Sequence, residues 1–419
     1  MDRQGSSLFS TKDSAMLSSR LVLPVIALTI FSSAANAQLR MQRVANLGFP
    51  SEDARRSAGG REVEFTSDGK KMIAAFFGST VQLFDLIRNV PIGEPIGTAG
   101  DGEVGFVNNK IAYTADWNYV RLWDTNSGQQ IGDPIPHQLR EDTIIHPAIN
   151  PTGKFIATRA TMKSVQLWDV ATRRLIGKQL NYSTEVHSIR FSDDGLLLFV
   201  NTGGSLYAIA SETGEDLAGP ITSQSQFSHF PKHQKLVSAE QVGEGLYQLV
   251  IRATVQQGWP ETHRSDLPGT LVRMVTLNDN QVLVQTSKKD HTPAIFIFRL
   301  DKPETRIEVE TNADRAFGLV VTQDKRHWIC SNIRNVSCQE FGKSEPIWQK
   351  QVPPSGYDQH LYPFDSEHFV IRDKQENFGI YKVADGREVW SQAGVKRFSL
   401  TKNIIALCKS DGVEIWGME

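Results

Sequence analysis

The sequence predicts an all-β fold in which short four-stranded antiparallel units repeat along one chain. Three observations carry that prediction. A five-residue alternating pattern returns at near-constant spacing, turn residues return at fixed offsets between apolar runs, and no helical periodicity interrupts the repeats.

The alternating pattern is sharpest at Val81–Asp85 (VQLFD), Val120–Asp124 (VRLWD), Val165–Asp169 (VQLWD) and Val413–Gly417 (VEIWG). Apolar and polar residues alternate in each, as a strand with one buried face requires. Looser copies fill the interval at Leu206–Ala210, Tyr247–Ile251, Ile295–Arg299, Val336–Glu340 and Phe378–Lys382. The middle residues of successive copies lie 35 to 48 positions apart, which brackets the roughly 40 to 45 of a four-stranded propeller blade.

Within a unit the other strands follow in a fixed order. Thr66-Ser67-Asp68-Gly69, Asn150-Pro151-Thr152-Gly153 and Ser192-Asp193-Asp194-Gly195 precede the second strand and supply a turn glycine behind Asp or Pro. The fourth strand repeats as Ile92–Ile96 (IGEPI), Ile131–Ile135 (IGDPI), Ile176–Leu180 (IGKQL) and Ala218–Ile221 (AGPI); proline there suits an outer edge with an interrupted ladder. The expected architecture is a single closed β-propeller of eight or nine blades over residues 38–419. A seven-bladed ring is the alternative, with two units misread between Gln241 and Glu345. The last unit stops one strand short, and the extended-compatible Leu39–Leu47 is expected to complete it, hiding two sheet edges.

The ends and the charge bound the setting. Arg20 precedes an apolar run, Leu21–Phe31, which leads to Ala35-Asn36-Ala37, so residues 1–37 are expected to be a signal peptide and the mature chain to be periplasmic or secreted. An eleven-residue apolar run is about half of what a bilayer core needs, and no membrane span is expected after cleavage. With 45 Lys and Arg against 47 Asp and Glu, no bulk field draws nucleic acid. Three cysteines are too few for a disulfide framework. Cys330 and Cys338 each lie four residues from Arg334, so a hairpin centred there would set them opposite one another as a candidate disulfide; two small buried residues is the equal alternative.

Trp123-Asp124 and Trp168-Asp169, with the S-D-G and N-P-T-G turns, resemble the WD40-repeat family, over essentially all of the mature chain and most closely to about residue 215. That resemblance implies four-stranded blades and rim loops used for recognition. The chain departs from it. The Gly-His ahead of the first strand survives only as His137, and the family's Asp, Ser/Thr, His and Trp hydrogen-bond set is complete in no unit: Asp116, Thr114 and Trp123 stand in the second, His137, Thr158 and Trp168 in the third.

Catalytic signatures are missing: there is no H-E-x-x-H, no G-x-S-x-G, no dinucleotide fingerprint and no complete P-loop. His229 and His233 flank a strand turn and make a poor metal pair; Asp193-Asp194 and Asn278-Asp279-Asn280 read as turn chemistry. No cofactor or metal is expected. Trp123, Trp168 and Trp416 are expected to pack between blades. Trp117, Asn118 and Tyr119 fall in a loop between second and third strands, with Arg140, Glu141 and Lys163 flanking them from the next unit and Trp259 as a further loop anchor; aromatic residues of this kind dominate interfaces. The function expected is a non-enzymatic scaffold for a protein partner. The alternative is a catalytic or ligand-binding propeller with a metal or sugar in its axial channel, for which no acid or histidine is seen to repeat at equivalent first-strand positions.

Overall fold

In a computed structural model the chain forms nine four-stranded antiparallel sheets. The structure describes residues 41–47 and 60–418, apart from 77–78, 99–102, 117, 137–146, 223–225, 255–257, 290–291, 310–317, 332–334, 342, 344, 352–359, 374, 402–403 and 411. Each sheet is one blade, with strands a to d in chain order. Blade 1 is typical, its strands being Gly60–Phe65, Lys71–Phe76, Thr80–Asp85 and Val90–Gly97. All nine copies of the alternating pattern occupy the third strand, so the repeat count of nine is the blade count. In blade 9, strands Arg397–Leu400, Ile404–Lys409 and Gly412–Met418 are joined by Met41–Leu47, which pairs antiparallel from Met41 opposite Met418 to Leu47 opposite Val413.

Why these residues form a ring follows from where they bury their apolar sides. A blade has two faces, and alternating side chains fill both. Nine hydrophobic clusters result, each shared by two successive blades. Val63, Met72, Ala74 and Phe76 of blade 1 pack on Ala406, Cys408, Val413 and Ile415 of blade 9 on one side. On the other, Ile73, Ala75, Val81 and Leu83 pack on Val104 and Ala112 of blade 2. The core is thus a series of seams, and an unclosed ring would leave two apolar faces in water.

The first strands are innermost: that of blade 1 lies beside those of blades 2 and 9, and the same neighbour relation joins blades 3 and 4, 5 and 6, and 7 and 8. Hydrogen bonds link successive blades near this inner edge. Arg190 Nη2 donates to Phe227 O at 2.6 Å, Gln226 Nε2 to Val272 O at 3.0 Å, and Gln323 Nε2 to Phe364 O at 2.7 Å. At the first-to-second-strand turns, Ser67 Oγ donates to Asn109 Oδ1 at 2.9 Å and Asn150 Nδ2 to Gly195 O at 2.7 Å. The outer strands are less regular. In blades 2 and 3 they shrink to Ile135–Pro136 and Leu180–Asn181, because the I-G-x-x segment lifts away from the ladder after a single bridge at Trp123–Gln130 or Trp168–Leu175.

Candidate interaction face

The residues that suggest chemistry in the sequence are mostly committed inside blades. Trp123 Nε1 donates to Thr114 Oγ1 at 3.0 Å and Trp168 Nε1 to Thr158 Oγ1 at 2.9 Å, each across one register diagonal of strands b and c. The aspartates beside them cap the turn between strands c and d. Asp124 Oδ1 accepts the Asn126 and Ser127 amides at 2.9 and 2.8 Å, and Asp169 Oδ1 accepts that of Thr172 at 2.7 Å. Those bonds hold both carboxyls below the usual carboxylate range. Trp416 instead donates to Glu414 Oε2 at 3.0 Å and meets Trp390 edge-on at 4.9 Å.

Blade 5 builds the same device from charges. Ser238 holds the position of Thr114, Glu240 that of Asp116, and Arg252 that of Trp123, since Arg252 pairs with Leu236 as Trp123 does with Ala112. Arg252 Nη1 donates to Ser238 Oγ at 3.1 Å and to Glu240 Oε1 at 2.5 Å, and Arg264 lies 3.6 Å from the other oxygen. No sequence signal flagged this trio, because the family pattern carries an indole there.

The loop between strands b and c of blade 2 is open to solvent but firmly held. Asp116, buried, accepts the amides of Asn118 and Tyr119 on one oxygen at 2.9 Å each and pairs through the other with Arg121. Its carboxyl stays ionised, the hydrogen bonds to Asn118 and Arg121 outweighing burial. The Arg121 guanidinium carbon stands 5.3 Å from the Tyr119 ring centre. Tyr119, the first residue of the third strand rather than part of the loop, is consequently 42% exposed on a fixed backbone, with Asn118 exposed beside it. Lys163, exposed, occupies the equivalent turn of blade 3 at the same end of the strands, its amide donating to Thr161 Oγ1 at 3.2 Å. Trp117, His137, Arg140 and Glu141 lie outside the described residues.

Two expectations are corrected. Trp259 is not an exposed anchor: at 3% exposure it belongs to the seam between blades 4 and 5, edge-on to Phe199 at 6.2 Å and parallel to the His229 ring at 6.4 Å. An irregular stretch of chain delivers a large apolar side chain where the seam needs volume. Cys330 and Cys338 form no disulfide; all three cysteines are free and buried. Cys330 stands opposite Ser337 and Cys338 opposite Ile329, one residue from the expected register. In a strand that single step moves a side chain to the other face, so Cys330 packs toward blade 6 and Cys338 toward blade 8. Burial pushes both thiols up to about 12.

A cluster the sequence reading passed over lies on the inner strands of blades 9, 1 and 2. Glu62 Oε2 accepts the Val104 amide at 3.4 Å, Glu64 Oε2 accepts the Ser399 hydroxyl at 3.5 Å, and Tyr113 Oη reaches Glu103 Oε1 at 3.5 Å. Burial first, then the neighbouring Glu62 carboxylate, push Glu64 up to about 7; burial and Glu103 raise Glu62. The signal was present as Glu62 and Glu103, which stand at equivalent positions of two successive first strands, opposite Ala75 and Ala115, so the expectation that no acid repeats there is also corrected. It was missed because a motif search looks along the chain, and these acids meet across blades. Among the described residues, no three His, Cys, Asp or Glu side chains are placed to hold a metal ion.

Blades and seams together define a nine-bladed β-propeller, and its Trp-Asp turns resemble those of WD40 repeats. No protein-family model matches the chain. It is similar to transcription initiation factor TFIID subunit 5 of Caenorhabditis elegans, 28% identical over 164 residues, 38% of this chain and 25% of that protein. It is also similar to WD repeat-containing protein 62 of Mus musculus, 26% identical over 151 residues, 35% of this chain and 10% of that protein. The chain therefore spans a quarter or less of the length of these relatives. Among solved structures, the Dos1 propeller superposes with a TM-score of 0.54 at 11% identity, covering 86% of this chain and 92% of that one.

Proposed function

We propose that this protein is an exported, non-enzymatic scaffold that presents one end of its ring to a protein partner. The observation that carries the reading is Tyr119, an exposed aromatic ring held on a backbone that Asp116 and Arg121 fix in place. A preorganised aromatic loses little freedom on binding, which is what interface anchors require. Trp117, Asn118, Arg140, Glu141 and Lys163 complete the proposed face. A relative that is by name a subunit of a larger factor supports the same reading. Export draws on the Leu21–Phe31 run and the Ala35-Asn36-Ala37 site.

The test is affinity capture from the native compartment with the mature chain and its Tyr119→Ala variant. The variant is expected to lose capture of a specific partner at least about tenfold, the loss typical of a hot-spot residue. Undiminished capture moves the site elsewhere. N-terminal sequencing of the purified protein is expected to begin at Gln38; an intact leader on soluble intracellular protein overturns the export reading.

A further inference from the structure

A cleft of about 560 Å³ opens at the outer rim between blades 1 and 2. Its one wall is the last part of the outer strand of blade 1, where Gly93-Glu94-Pro95 bulges out between the Val81–Ile96 and Leu83–Ile92 pairs. Its other wall is Arg121 and the half-buried Trp123 with Gln129. Glu94 is exposed and has no ion-pair or hydrogen-bond partner among the described residues. At Gly97 a side chain would meet nothing within 4 Å.

The next two junctions show what such a seam accepts. Between blades 2 and 3, Arg173 folds its guanidinium over Gly132, so closely that a methyl group there would collide with it. Between blades 3 and 4, Tyr182 packs on Tyr207 with ring centres 4.7 Å apart. At the first junction the chain supplies neither. Gly128 stands at the turn position of Arg173, for the Gly128 amide bonds Asp124 O at 2.8 Å as that of Arg173 bonds Asp169 O at 2.7 Å. Arg121 occupies the strand position of Tyr207 but directs its charge to the buried Asp116.

We propose that this cleft receives an arginine side chain from the protein partner, the guanidinium lying on Trp123 and pairing with Glu94. Arginine fits because it is planar, tolerates partial burial and stacks on an indole, and because the unpaired charge at the rim is negative. This deepens the scaffold reading and rests on it.

The test follows the Trp123 indole N–H resonance of the full mature chain during titration with N-acetyl-arginine methylamide, against the neutral citrulline analogue. A saturable shift with arginine in the range of about 1 to 10 mM is expected, weakened about threefold in Glu94→Gln and abolished in Gly97→Leu, which fills the cleft. The citrulline analogue is expected to produce none. Equal shifts with citrulline, indifference to Glu94→Gln, or no shift overturns the proposal. If Tyr119→Ala abolishes partner capture while the arginine probe fails, the scaffold stands and the cleft falls; a bound probe with no partner captured sinks the scaffold reading instead.

Discussion

Glu64 places a titration near neutrality on the inner strand of blade 1. Facing it are Glu62 on its own strand, Glu103 on blade 2 and Ser399 on blade 9, with Arg61 and Arg397 near Glu62. Its folded value of about 7 lies above the usual 4.5, so the folded state binds the proton more tightly than the unfolded chain. That contribution is fully present below about pH 4.5 and is lost as pH rises through 7. Thermal unfolding is expected to shift to lower temperature between about pH 5 and pH 7.5, and Glu64→Gln to flatten that slope. An unchanged slope in the variant would place the titrating group elsewhere. Arg252 tests the opposite situation, a charge already compensated. Arg252→Met leaves Glu240, 4% exposed, with Ser238 and with Arg264 at 3.6 Å as its remaining cation. Chemical denaturation is expected to show a loss of about 1.5 to 3 kcal/mol, the range for a lost hydrogen bond to a charged group, since Arg264 still compensates the carboxylate. Replacing Glu240 by Gln in the same chain is expected to recover part of it.

At the scale of strands and turns, the outer rim depends on backbone touching backbone. A Cβ added at Gly128 would lie 2.8 Å from Gly93 Cα and 2.9 Å from Ile92 O, and Gly128 has φ +71°. Gly128→Ala is therefore expected to destabilise by more than about 1 kcal/mol, strain adding to the clash. Gly97→Ala, in ordinary strand conformation with open space around it, is expected to be neutral within about 0.5 kcal/mol. Paired denaturation curves check both; equal effects would mean that the seam relaxes around the methyl group. The I-G-x-P repeat is visible in the sequence as a fourth-strand motif, but its role is not. Only the packing reveals that its glycine meets the next blade's turn.

For the whole molecule, ring closure is a single long-range event. Among the described residues, every strand but Met41–Leu47 pairs with a strand close to it in sequence, whereas this one joins Gly412–Met418. Removing residues 41–47 bares the edge of Gly412–Met418 while leaving the other eight blades complete. The truncated chain is expected to associate beyond the monomer in light scattering, edge to edge, and to lose cooperativity in thermal unfolding. A monomeric truncation with an unchanged unfolding curve would show that the seam between blades 9 and 1 suffices without the added strand.

Fold class and the identity of each third strand were decided by the sequence alone, whereas the repeat left eight or nine blades open with seven as the alternative, and the sheets fix nine. Alternation with period two inside a strand and a period near forty between units are both local, and an apolar stripe has one efficient way to be buried. The hairpin centred on Arg334 was also read from local symmetry and came out one residue off, because register answers to the packing of both faces rather than to the tip. Tertiary structure alone decided that Cys330 and Cys338 face apart, that Trp259 fills a seam, that Arg252 takes an indole's place, and that Glu62, Glu64 and Glu103 meet. Each of these depends on which side chains from neighbouring blades compete for the same volume or share the same field. That information is spread over residues about forty positions apart, and only stacking the blades brings it together.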